Sequence, residues 1–125
     1  YTQAKGYGEV KLAVSRAGVD SFFDPLVVDE GDSVLGQVGL AATSNGGFLV
    51  SWMTFSEGTS GQLKLRYVDR EGVASSVFEA TKITMTRRAG LPQMVLFDNL
   101  AVMSWTGGGD TNKAVEVATT QFDTL

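Results

Sequence analysis

The sequence predicts an all-β fold of repeated four-stranded antiparallel sheets, and three observations carry that prediction. A hydrophobic-Ser-Trp signature occurs twice, in "GGFLVSW" ending at Trp52 and "NLAVMSW" ending at Trp105, 53 positions apart in a chain of 125 residues. Val, Ile, Thr, Phe and Tyr gather in short runs between glycine-rich breaks, with 15 glycines against two prolines, as strands joined by tight turns require. The tryptophan-bearing runs are also apolar on both faces. Phe48 and Val50 share parity with Trp52 while Leu49 and Met53 lie opposite, and Ala101 and Met103 share parity with Trp105 while Leu100 and Val102 lie opposite. A strand apolar on both faces must be covered above and below.

Taken in order, the elements form one unit written more than once. "GQVGLAATSNGGFLVSW" (36–52) aligns with "GLPQMVLFDNLAVMSW" (90–105), each a Gly-led apolar strand a, a turn, and a strand b closing on Ser-Trp. Asn45-Gly46 and Asp98-Asn99 suit two-residue hairpin turns because both pairs tolerate positive φ. Strand c follows each tryptophan, as "LKLRYV" (63–68) and "AVEVAT" (114–119), and opens the chain as "EVKLAVS" (9–15). Leu63, Leu65 and Tyr67 alternate there with Lys64 and Arg66, the pattern of a strand half in water. Strand d is read at "PLVVD" (25–29) and "SVFEA" (76–80), although 73–89 lacks Gly and Pro and also admits a helical turn.

Inner strands covered on both faces and outer strands half in water describe a propeller blade. The expectation is therefore a partial β-propeller of four-stranded antiparallel blades, about two and a half of them. It forms one domain over 1–125, with blade segments at roughly 1–33, 34–82 and 83–125, and each tryptophan packs between adjacent blades. Closure takes about four to eight blades, and an open arc leaves apolar faces and unpaired edges in water. The remaining blades are expected from a longer polypeptide, a second chain or self-association. The chain opens at Tyr1 rather than Met and shows no signal peptide, which suggests upstream removal or a longer product.

Composition excludes several function classes. A net charge of −4 and a pI near 4.6 argue against nucleic acid, whose phosphates call for a basic surface. Without histidine or cysteine the chain lacks the commonest acid-base group, disulfides, zinc thiolates and cysteine nucleophiles. No apolar run reaches the roughly 18–20 residues of a membrane helix. "DEGD" (29–32) and "GGGDTN" (107–112) gather oxygen ligands without calcium-loop spacing, and the second also lacks a phosphate-loop ending. No metal and no cofactor is expected. Ser15, Ser51 and Ser104 have no histidine to activate them.

"VKLAVSRAGVDSFFDPLVVDEGDSVLGQVGLAATSNGGFLVSW", then "LKLRYVDREG" and "RRAGLPQMVLFDNLAVMSWTG", resembles the C-terminal blades of bacterial sialidase-like (BNR/Asp-box) propeller proteins. The family's Asp-box, S-x-D-x-G-x-x-[WF], is degenerate at "SRAGVDSF" (15–22): Ser15, Ser21 and Phe22 stand, while Ala17 and Val19 replace Asp and Gly. "RRAGLP" (87–92) is similar to the Arg/Gly-x-Pro opening of blades in the family. The resemblance implies an extracellular or periplasmic location and a possible glycan ligand. It also implies the chemistry to look for: a Tyr nucleophile with a Glu partner, an Asp acid-base and three substrate arginines. Tyr67 has inward parity and reads as packing between blades, and Arg66 points the opposite way. Arg87 and Arg88, just before a strand a, are the substrate-binding candidates, since guanidinium forks suit carboxylates. No catalytic residue carries over.

Two functions follow from this reading. The first is a non-catalytic propeller segment that completes a larger propeller or oligomeric ring, for glycan or protein binding. The alternative is the C-terminal portion of a sialidase-like glycoside hydrolase that contributes a substrate-binding arginine.

Overall fold

The computed structural model describes residues 2–4, 7–15, 18, 21–55, 60–84, 93–108 and 113–122. It is all-β, with antiparallel pairing throughout. Strands β1 (Thr2–Ala4), β2 (Tyr7–Leu12) and β3 (Leu26–Gly31) form sheet I. Sheet II is β4 (Val34–Ala42), β5 (Phe48–Phe55), β6 (Ser60–Val68) and β7 (Phe78–Thr84). Sheet III is β8 (Gln93–Phe97), β9 (Leu100–Gly108) and β10 (Lys113–Gln121). Each is a meander whose neighbours in space are neighbours in sequence, and the described residues close no ring.

The two-faced strands cause the layering. On one face of sheet II, Val34, Val50, Trp52 and Val68 bury against Val10, Leu12, Val14 and Val28 of the first sheet and its continuation. On the other, Leu49, Met53, Leu63, Leu65 and Tyr67 bury against Ala101, Met103, Trp105 and Phe122. Trp52 and Trp105 thus face the same way, each toward the sheet that precedes its own. Burial of a large aromatic removes on the order of 150–250 Å² from water, which makes the two tryptophans principal anchors of the stack.

Register shows the repeat more closely than residue identity does. In sheet I, Val10 pairs Asp29 and Lys11 pairs Val27, so Val28 is a bulge residue. In sheet II, Leu63 pairs Thr81 and Lys64 pairs Glu79, so Ala80 is bulged at the same place. Beyond the bulge, Ser15 bridges Phe22 as Val68 bridges Ala74. The Phe23 amide donates to the Val14 carbonyl at 2.8 Å, and the Ser75 amide to the Tyr67 carbonyl at 2.8 Å. Bulges accentuate strand twist, and the same bulge at the same step gives both sheets the same local bend.

Several sequence expectations need adjustment. The strands read at 25–29 and 76–80 run instead over Leu26–Gly31 and Phe78–Thr84, and the latter is strand where a helical turn was also admissible. β1 was not read from sequence, because three residues are too few to show a period. Asn45-Gly46 does not form a two-residue turn. The ladder ends at the Ala42–Phe48 pair, and Thr43–Gly47 form a longer loop. Its frame is the Thr43 amide donating to the Gly47 carbonyl at 2.9 Å, with positive φ only at Gly46 (86°). Asp98-Asn99 does form the two-residue turn, closed by the Phe97–Leu100 pair, with Asp98 at φ 49°.

Candidate functional site

The loops that join β2 to β3, β4 to β5 and β6 to β7 meet at one end of sheets I and II. They frame a cleft of about 400 Å³ lined by Val14, Ser15, Phe23, Gly46, Phe48, Arg70 and Glu71. Each wall has a local cause. The Asp69 carboxylate accepts from the Glu71 and Val73 amides, both at 2.9 Å, which winds the turn and sets Arg70 and Glu71 at its tip. Arg70 lies across Gly46, where an added Cβ would sit 3.5 Å from its Cδ. Ser15 and Phe22 hold the opposite loop by their bridge, and Phe22 itself stays 63% exposed. The cleft offers two phenyl rings, one cation, one carboxylate and one hydroxyl. Among the described lining residues there are no paired carboxylates, and the groups present can hold a molecule by apolar and ionic contacts. A smaller hollow of about 140 Å³, lined largely by Val10, Leu12, Val38, Leu40 and Val50, is apolar except for Lys11.

The other end of sheet I carries a cluster that sequence reasoning missed. The Tyr7 phenol lies beside the Glu30 carboxylate. Loss of hydration, and then the Glu30, Glu9 and Asp32 carboxylates, push its phenol above the ordinary tyrosine value. Residues 7 and 30 are diagonal neighbours across the β2–β3 ladder, a relation that only the register reveals. Glu9 is also paired with Lys11 at 3.1 Å. A raised phenol stays protonated at neutral pH, so Tyr7 acts as a hydrogen-bond donor there.

The residues singled out from sequence fall as follows. Tyr67 is buried, as its packing assignment expects. Its hydroxyl donates to the Asn45 side-chain Oδ1 at 3.0 Å, and its ring stacks near Phe122 with centroids 6.4 Å apart. Arg66 points to the other side of sheet II. Its Nε donates to the Ser75 carbonyl at 2.6 Å and its Nη1 to the carbonyl of the bulged Val28 at 2.7 Å, so it fastens sheet II to sheet I. Arg66→Met, which keeps the stem and removes the donors, is expected to cost about 1–3 kcal/mol in a urea melt. Trp52 and Trp105 are core residues, with Trp52 Nε1 donating to the Asp29 carboxylate at 2.8 Å. Asp29, the first residue of "DEGD", is thereby engaged in the fold. Arg87 and Arg88 lie outside the described residues, as does most of "GGGDTN". Among the described residues no cluster of three or more carboxylates could hold a metal ion.

No family model, curated protein or solved structure matches this chain.

Proposed function

We propose that the chain is a non-catalytic segment of a sialidase-like β-propeller, which completes a larger propeller or oligomeric ring and serves glycan or protein binding. One observation supports this above the rest. All three sheets are meanders, sheets I and II share a bulge at the same step, and sheets II and III each turn a tryptophan toward the preceding sheet, a repeat that supports a reading as radial blades. The remaining blades would come from a longer polypeptide, a second chain or further copies, and an extracellular or periplasmic location rests on the family resemblance.

The alternative is the C-terminal portion of a sialidase-like glycoside hydrolase that contributes a substrate-binding arginine, Arg87 or Arg88. A fluorogenic sialoside offered to this chain, and to any longer polypeptide that contains it, separates the two. The expected result is no turnover. Turnover that falls about 100-fold or more in Arg87→Ala or Arg88→Ala would replace the first reading by the second.

A further inference from the structure

We infer that the outward face of sheet III is the seat of one further antiparallel sheet, whose covering strand presents an apolar row ending in tryptophan, like Ala101, Met103 and Trp105 or Phe48, Val50 and Trp52. The inference rests on the repeated-sheet reading above and adds which face receives the partner and what the partner brings.

The shared ladders align the third strand of each unit across all three sheets. Trp52 pairs Lys64 and Trp105 pairs Glu116, so Leu63 and Leu65 correspond to Val115 and Val117. The common bulge sets Val10 and Leu12 against Leu63 and Leu65. Val10 and Leu12 are 1% and 9% exposed beneath sheet II, and Leu63 and Leu65 are both 0% exposed beneath sheet III. Val115 and Val117 are 76% and 64% exposed. Equivalent positions are therefore buried twice and bare once, and the bare pair belongs to the sheet with nothing described beyond it.

The rest of that face agrees. Val95 pairs Val102, Phe97 pairs Leu100 and Ser104 pairs Val117, which places them on one side with Thr119 and Gln121. Val95 is 59% and Phe97 68% exposed. None of these positions is charged, and the register brings one charged residue to this side, Lys113, opposite Gly108 at the start of β10. A face with an uncharged valine and phenylalanine centre and its lysine position at one end of β10 covers with little desolvation of charge, and apolar patches mark interaction surfaces. What covers it is indicated within the molecule. The same face of sheet II is covered by a strand bearing Ala101, Met103 and Trp105, and that of sheet I by a strand bearing Phe48, Val50 and Trp52. The outward side of sheet I is a poor substitute, because it carries Tyr7, Glu9, Lys11 and Glu30, whose charges would be buried against valine and phenylalanine.

The test extends the chain after Phe122 with a second copy of residues 71–122, which supplies a fourth strand for sheet III and then another sheet with its own tryptophan. Binding of a hydrophobic dye, acrylamide quenching of tryptophan and amide exchange are the readouts. The expected result is several-fold less dye bound than by the unextended chain, a shielded added tryptophan, and new protection at Val95, Val115 and Val117. Val117→Lys should reverse all three in the extended chain while leaving the melting of the unextended chain unchanged. Unchanged dye binding overturns the inference, including where the added unit stays unfolded, since the claim is that this face is the surface on which such a unit folds. A dimer of the unextended chain that Val117→Lys makes monomeric would also overturn it, because the occupant is then a second copy. Weak protection at Val10, Leu12, Leu63 and Leu65 in the unextended chain would instead sink the repeated-sheet reading beneath it, so the two failures are distinguishable.

Discussion

Trp52→Ala is expected to lower the stability of the chain by about 3–5 kcal/mol, a large part of the roughly 5–15 kcal/mol that holds a domain together. The indole is completely buried among Val10, Leu12, Val28, Val34, Val50 and Val68, so its removal opens a cavity between two sheets that cannot close without shifting one of them. It also leaves the Asp29 carboxylate without the donor it meets at 2.8 Å. Trp52→Phe divides the effect, because it retains much of the packing and removes only the N–H. Its cost should be the smaller share, about 1–3 kcal/mol for the lost bond and the volume deficit together. Urea melts followed by far-ultraviolet circular dichroism give both values. Equal costs for the two variants would show that the indole N–H bond, rather than the filled space, dominates. The other tryptophan provides an internal comparison. Among the described residues Trp105 Nε1 is buried with no hydrogen-bond partner, and the ladder places Thr81 where sheet I has Asp29. The indole bond is thus a feature of one interface only, while the buried ring is common to both.

Gly47→Ala is expected to be nearly as damaging, by overpacking instead of by a cavity. A Cβ at Gly47 would lie 2.5 Å from the Tyr67 hydroxyl oxygen and 2.8 Å from two ring carbons. Tyr67 cannot step aside cheaply, since it is buried, bonded to Asn45 at 3.0 Å and packed near Phe122. Nor can the loop retreat freely, because the Gly47 amide donates to the Thr43 hydroxyl at 3.0 Å and its carbonyl accepts from the Thr43 amide at 2.9 Å. The expected cost is about 1–3 kcal/mol or somewhat more. Adding Tyr67→Phe to Gly47→Ala removes the nearest clashing atom but not the ring contacts, so the double variant should recover only part of the loss. Additive costs in that cycle would mean that the two residues do not press on each other.

These positions also show how much of the molecule could be read in advance. The strands around Trp52 and Trp105 were legible because apolar residues on both parities leave few structures other than a covered strand. The alternation of Leu63, Leu65 and Tyr67 with Lys64 and Arg66 marked a strand with one wet side, and the side facing sheet III is the apolar one. The cleft and the Tyr7–Glu30 pair were hidden for a different reason. Each joins residues from separate loops or strands, and a ladder register that contains a bulge cannot be counted from spacing alone. The role of Arg66 was equally concealed. Its parity could be read, but its partner is the carbonyl of Val28, which stands out of register only because of that bulge. Gly47 gave no signal, since one glycine beside another looks like turn chemistry until a tyrosine from another strand is laid over it.

The order of the residues by itself determined the strand type, the repeat and the two tryptophan anchors, because alternation and two-sided apolarity are properties of neighbouring positions along one chain. The tertiary structure alone decided which face meets which sheet, where the ladders slip by one residue, and which apolar side chains stay in water. Those outcomes depend on the separation of atoms distant in sequence. Val115 and Val117 are as apolar as Val10, and only the stacking of the sheets makes them 76% and 64% exposed while Val10 is 1% exposed.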